Sequence, residues 1–93
     1  MLDRDTSSAF LSAEIDPAIP VIDLHSTDSI SEALEKMERE LFRLHIQRVR
    51  YCKVVHGIGS GLLADAVHRV LNKHPLVQAH QEAGNGGACL VLF

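Results

Sequence analysis

No run of apolar residues in the sequence approaches the roughly 20 residues that a membrane-spanning helix needs. Residues 1–8 are polar, and they carry neither the basic segment nor the apolar segment of a secretory signal peptide. We therefore expect a cytoplasmic protein that makes no contact with a membrane. With 93 residues, the chain is long enough for one domain with its own hydrophobic core.

Cysteine is scarce, and the two cysteines, Cys52 and Cys89, form no CxxC unit. Each lies in an apolar run typical of a buried strand, so we expect two reduced thiols in the core. A zinc site would need more sulfur or imidazole ligands at closer spacing. Four histidines have no compact metal-binding spacing and are expected on the surface or at helix ends: His45, His68, His74 and His80.

Positive charge is also in short supply, because the net charge is −3 with the histidines neutral. This balance argues against a strongly basic, non-specific nucleic-acid-binding protein. The basic residues are unevenly distributed, however, and five of them fall between positions 39 and 53: Arg39, Arg43, Arg48, Arg50 and Lys53. They could form a local basic face, but an ordinary solvated helix face explains any one of them equally well.

The pattern of apolar residues predicts the order β-α-β-α-β-β. The strands are expected at 21–25, 49–55, 76–82 and 88–93, and the helices at 30–45 and 62–73. Ser29 and Glu32 form a capping box before the first helix, and Pro75 ends the second. The last strand is apolar almost throughout, which indicates a central position, whereas the more polar third strand is expected near an edge. We predict an α/β two-layer sandwich with a four-stranded mixed sheet.

Residues 1–20 are predicted to form an N-terminal arm, partly disordered, rather than part of the core. Their polar character and two prolines, Pro17 and Pro20, work against regular structure, although a short helical turn near residues 8–13 is compatible with it. Four apolar side chains of the arm could dock on the domain: Phe10, Leu11, Ile15 and Ile19. The domain proper is expected to span residues 21–93.

A glycine-rich turn lies between the second strand and the second helix, in the sequence His56-Gly57-Ile58-Gly59-Ser60-Gly61. Glycine allows the backbone to approach a ligand closely, and the free amides of a helix start attract phosphate. Tight turns often carry glycine for steric reasons alone, so this signal is weak by itself. The turn lacks the Lys-Ser/Thr ending of a P-loop and the spacing of a dinucleotide-binding motif.

Asp23 and His25 are two residues apart, so in a strand they would share one face. His56 ends the next strand. If the two strands are parallel, the three side chains gather at the rim on which the glycine turn opens. A carboxylate, two imidazoles and a phosphate-binding turn together favour chemistry on a phosphodiester. The alternative is that Asp23 caps a loop and His25 is a half-buried structural histidine.

These segments resemble the motifs of the small MutS-related (Smr) domain family. Residues 22–25, IDLH, resemble the LDLH motif, and residues 56–61 resemble HGxGxG. Residues 71–77 and the glycines before the last strand are also similar to the family pattern. Ser26 departs from it, because the family usually has glycine there, and the following loop is about one residue longer. The likeness covers residues 21–93, and the start at Met1 with a short arm suggests the stand-alone type.

The resemblance implies a fold related to the C-terminal domain of bacterial translation initiation factor three. It also implies binding to branched or flexible DNA, or to RNA, with nicking or cleavage in many members, and a role in DNA repair. It assigns cleavage to Asp23 and His25, and nucleic-acid binding and activity to the second motif. Metal use varies in the family, so no cofactor is assigned and Mg²⁺ is a candidate.

We accordingly expect an endonuclease in which Asp23 activates or orients the nucleophile and His25 or His56 transfers protons. The expected nucleic-acid contacts are Gly57, Gly59, Ser60, Gly61, Arg48, Arg50 and Lys53. The alternative function is a non-catalytic module that binds nucleic acid, a ribosome or a MutS-like repair protein. A protein-interaction domain without a nucleic-acid role is a third interpretation. A monomer or weak dimer is expected.

Overall fold

The computed structural model describes residues 4–93 of the chain. Seven elements follow one another: α1 (Arg4–Ile15), β1 (Val21–Asp23), α2 (Ile30–Ile46), β2 (Tyr51–Val55), α3 (Leu62–Lys73), β3 (Ala79–Ala83) and β4 (Ala88–Leu92). Within the described part of the chain, no helix is long and apolar enough to cross a membrane.

The four strands form one mixed sheet in the order β1-β2-β4-β3. β1 pairs with β2 in parallel, and β4 runs antiparallel to both of its neighbours. The predicted α/β fold with a four-stranded mixed sheet is therefore confirmed. The central place of the apolar last strand and the edge position of β3 are confirmed as well, since every residue of β4 is buried.

One face of the sheet carries α2 and α3, which pack over the larger core cluster. Ser29 caps α2 as predicted, because its Oγ accepts the backbone N–H of Glu32 at 3.1 Å. Both cysteines are free and buried in this cluster, which confirms the expectation of core thiols. Burial raises the pKa of each thiol to about 12.

The opposite face carries α1, which the sequence analysis did not foresee as a full helix. Phe10 and Ala13 of α1 are buried in a second cluster with Leu90 and Leu92 of β4. The segment expected to be an arm outside the core therefore contributes to it, and it adds a third layer to the two predicted. Ile19 packs partly on this cluster, whereas Leu11 and Ile15 remain exposed. The expectation of disorder for the first three residues concerns positions outside the described range.

Two strands begin later than predicted because the preceding backbone is used in turns. Arg48 has φ +61°, and its N–H and that of Val49 bond back to His45 O and Leu44 O, the pattern of a Schellman helix end. β2 consequently starts at Tyr51. Similarly, the N–H of Val77 bonds to His74 O at 3.2 Å, and β3 starts only at Ala79.

Candidate active site

The candidate site lies at the rim where β1 and β2 both end. These strands are parallel, and Asp23 pairs with Val55 as the last pair of the ladder. One further backbone hydrogen bond, from Leu24 N to Val55 O at 2.7 Å, joins the two segments just beyond this last pair. The carboxyl ends of both strands, and the loops that follow them, therefore meet at one place, as predicted.

Asp23 and His25 are in direct contact at this rim. The Nδ1 of His25 lies 2.5 Å from the Asp23 carboxylate, and the same oxygen accepts the His25 backbone N–H at 3.1 Å. Their side chains are 48% and 60% exposed, so the pair faces solvent. The hydrogen bond from His25 is the main cause that lowers the pKa of Asp23. The pair is therefore an ionised carboxylate that orients an accessible imidazole.

A turn, rather than a continued strand, brings the two side chains together. The strand ends at Asp23, and Thr27 closes a turn by bonding to Leu24 O through its backbone N–H at 3.2 Å and its hydroxyl at 2.7 Å. Ser26 lies inside this turn. The only non-glycine residue with positive φ in the described range is Arg48, so Ser26 replaces the family's glycine without backbone strain.

The glycine turn packs directly against this pair. A β-carbon built on Gly57 would lie 3.5 Å from the β-carbon of His25. Gly57 has φ +80°, and its N–H bonds to Gly87 O at 2.8 Å, which ties the turn to the loop between β3 and β4. Gly61, with φ +85°, leads into α3 without a side-chain cap. Around Gly59 and Gly61 the space is open, so these glycines are required by backbone conformation and leave room above the turn.

His56 does not join the exposed pair. Its side chain is buried, at 4% exposure, and lies on the face that also buries Cys52 and Val54. Asp23 pairs with Val55, and side chains alternate along a strand, so Asp23 and His56 leave opposite faces of the sheet. The predicted convergence of three side chains is therefore met by Asp23 and His25 alone.

His56 instead starts a row of three imidazoles. Its ring contacts that of His68 on α3 at 5.7 Å between centroids, and His68 contacts His80 on β3 at 5.6 Å. His56 Nδ1 donates to Gly57 O at 2.8 Å, whereas His80 Nε2 lies 2.7 Å from the Asn72 side-chain oxygen. Burial, helped by His68, lowers the pKa of His80. The row therefore contacts the glycine turn through the hydrogen bond between His56 and Gly57.

The three predicted basic contacts do not gather at the candidate site. Arg48 and Arg50 precede β2, six or more residues before His56, which is about 20 Å along an extended strand. Arg48 ends α2, and both side chains are exposed far from the glycine turn. Lys53 lies in the middle of β2, on the same face as Val55 and Asp23, and is the predicted cation nearest to the site.

Lys36 is a site residue that the sequence analysis missed. Its ammonium group donates to the backbone carbonyl of Asp23 at 2.7 Å and contributes to the lowered pKa of that carboxyl group. The sequence does contain a signal for this role, because Lys36 adjoins Met37 of the apolar stripe of α2. The methylene chain of such a lysine can lie across the edge of the core. Among residues 4–93, no group of three or more His, Cys, Asp or Glu side chains is placed to hold a metal ion.

Comparison with known proteins agrees with this architecture. The Smr domain family matches residues 22–93, so the chain belongs to the Smr domain family. It is 37% identical over 70 residues to Endonuclease MutS2 of Thermomicrobium roseum, a match covering 75% of this chain and 8% of that protein. A second MutS2, from Clostridium perfringens, is also 37% identical over 70 residues, covering 73% of the chain and 9% of that protein. The chain thus spans less than a tenth of the length of these relatives.

Two solved structures share the fold. The Smr domain of Thermus thermophilus MutS2 superposes with a TM-score of 0.74 at 23% identity, covering 80% of this chain and 96% of that one. YdaL, a stand-alone small MutS-related protein from Escherichia coli, gives a TM-score of 0.79 at 18% identity and covers 100% of this chain and 77% of that one. The likeness to YdaL therefore includes α1.

Proposed function

We propose that this domain is an endonuclease that cuts phosphodiester bonds of DNA or RNA. The observation that carries the proposal is the exposed Asp23–His25 pair, with 2.5 Å between His25 Nδ1 and the Asp23 carboxylate. The glycine turn packs against this pair. Family membership and the name Endonuclease MutS2 of two relatives support the same reaction class.

The geometry suits His25 to general acid–base catalysis. A carboxylate accepts hydrogen bonds, so Asp23 holds the Nδ1–H tautomer of His25 and leaves the Nε2 lone pair for the reaction. Nε2 can then take a proton from the attacking water or hydroxyl and return a proton to the leaving oxygen. Because its pKa is lowered, Asp23 remains ionised and stabilises the imidazolium formed between the two steps.

We assign phosphate binding to the glycine turn and the start of α3. The first amides of a helix lack partners within it and attract anions. Ser60 accepts the N–H of Leu62 at 3.4 Å, and Asp65 lies in the first turn of α3, where its charge offsets part of the helix dipole. We therefore expect Lys53 to supply cationic attraction in addition to the backbone amides.

The test is a cleavage panel of supercoiled plasmid, branched DNA and structured RNA, with and without magnesium. His25→Ala should lower cleavage by about a hundredfold or more, as expected for the loss of a general base. His45→Ala is the matched control, because His45 is an exposed imidazole at the end of α2, away from the rim. Equal cleavage by His25→Ala and the parent would show that His25 is not the general base.

A second candidate function is binding without cleavage, to nucleic acid, a ribosome or a MutS-like repair protein. The observation in its favour is the charge distribution: the net charge is −3, and Arg48 and Arg50 lie at the end of the sheet opposite Asp23. Such a module would bind through these arginines, and its affinity would fall as the salt concentration rises. Binding that Arg50→Gln weakens, without any cleavage by the parent, would select this function.

A further inference from the structure

An open groove of about 450 Å³ continues the candidate site across the sheet. It lies along residues paired from strand to strand, Val55 with Ala88 and Ala88 with Ala83, and Val55 is paired in turn with Asp23. Paired residues point to the same face, so the groove lies on the face from which the Asp23 side chain projects, and Val55 is about 5 Å from Asp23. Ala83 and Ala88 are buried in the cluster with Phe10 and Ala13 of α1, so the accessible lining is Lys53, Val55, Ile58 and Asn85.

The lining of the groove combines an exposed apolar side chain with a few polar groups. Ile58 is 60% exposed, and its Cγ1 would lie 3.4 Å from a β-carbon on Gly87. Asn85 also lies beside Gly87, and its side-chain oxygen accepts the Gly87 N–H at 3.3 Å, which leaves its amide N–H groups for a ligand. Lys53 closes one end and forms no ion pair with any residue of the described range.

We propose that this groove binds the nucleobase next to the phosphate held at the Asp23–His25 pair. The inference rests on the proposed function, because the proposed function supplies the position of that phosphate. A base fits here for three reasons. The Ile58 and Val55 side chains offer apolar contact to a base face, as aliphatic side chains do when they insert between bases. The amide of Asn85 can donate to an edge acceptor, and Lys53 can pair with the next phosphate.

The consequence is a preference for unpaired nucleotides. A base stacked and paired in a duplex cannot contact Ile58 while its own phosphate reaches His25, whereas a base in a loop, flap or end can turn out into the groove. Ile58 and Asn85 are then the residues that determine this preference, and Asp23 and His25 act on whatever phosphate is brought beside them.

The experiment compares three small probes by amide chemical shifts: inorganic phosphate, ribose 5-phosphate and adenosine 5′-monophosphate. The last two differ only by the base. We expect all three to shift the amides of the glycine turn, from Gly57 to Leu62. Adenosine 5′-monophosphate should also shift Asn85 and Ala88 and should bind about fivefold more tightly than ribose 5-phosphate, as the low end of a base contact gives.

Ile58→Ser should bring the ratio of the two affinities, adenosine 5′-monophosphate to ribose 5-phosphate, to about one, and this ratio cancels any change in phosphate binding by the turn that contains Ile58. The matched control is Phe42→Ser on α2, since Phe42 is 56% exposed and lies outside the groove. Equal affinity of the two sugar phosphates, or base-dependent shifts elsewhere on the surface, would contradict base binding in the groove but not phosphate binding by the glycine turn. If none of the probes shifts the glycine turn, the phosphate site fails and the groove fails with it.

Discussion

The backbone of Gly57 lies against the side chain of His25, with 3.5 Å between the His25 β-carbon and the place of a β-carbon on Gly57. Two motifs that are about 30 positions apart in the sequence therefore form one surface. Gly57 also has φ +80°, a conformation that costs other residues about 1–2 kcal/mol. We therefore expect a displacement of the glycine turn to displace the imidazole that we assign to proton transfer.

Gly57→Ala should lower cleavage by at least about tenfold, because relief of the strain at φ +80° shifts the turn beside His25, and a small displacement of a catalytic group has effects of that size. Gly86→Ala is the matched control, because Gly86 also has a positive φ, +91°, but nothing lies within 4 Å of its β-carbon position. Both variants should lose about 1 kcal/mol of unfolding free energy. Cleavage reduced equally by the two substitutions would show that the loss of stability, and not a shift of the turn beside His25, is responsible.

The docking of α1 leads to a prediction about stability. Phe10 is 3% exposed and packs on the face of the sheet opposite α2 and α3. Phe10→Ala should lower the free energy of unfolding by about 3 kcal/mol, the usual cost of removing a buried aromatic ring. Leu11→Ala, at a neighbouring residue that is 61% exposed, should change it by less than about 0.5 kcal/mol. Urea denaturation measures both, and similar losses would mean that α1 does not dock as described.

The histidine row makes stability depend on pH. The pKa of His80 is lowered by burial from its usual value of 6.5. As the pH falls below 6.5, the unfolded chain therefore takes up a proton at His80 before the folded chain does, and stability decreases. His80→Gln should lose less stability between pH 8 and pH 5.5 than the parent, in urea unfolding at the two pH values. An equal loss of stability in His80→Gln and the parent over this range would contradict the account.

Much of the fold could be predicted because the sequence marks its turns clearly. α3 has the predicted bounds, since Gly61 precedes it and Pro75 follows it closely. The helix α1 could not be predicted to its full length, because its apolar stripe is sparse and it is stabilised by contacts of Phe10 and Ala13 that are distant in sequence.

The location of the candidate site could be predicted from the sequence, but the face on which each side chain lies could not. Parallel strands ending at Asp23 and Val55 follow from a helical connection between them, which the sequence shows. Which face His56 occupies depends on the register of those strands, and a slip of one residue would reverse it. The contact between Asp23 and His25 depends likewise on the turn closed by Thr27, which the motif spacing does not reveal.

The central claim, that an ionised Asp23 orients His25 for cleavage, is tested most directly by Asp23→Asn. Asparagine keeps the size and an acceptor oxygen but removes the charge that stabilises the imidazolium. We predict that its cleavage rate on the parent's best substrate falls by about a hundredfold or more with binding unchanged, whereas Asp28→Asn, at an exposed carboxylate before α2, retains the parent's rate. Cleavage by Asp23→Asn at the parent's rate would contradict the account.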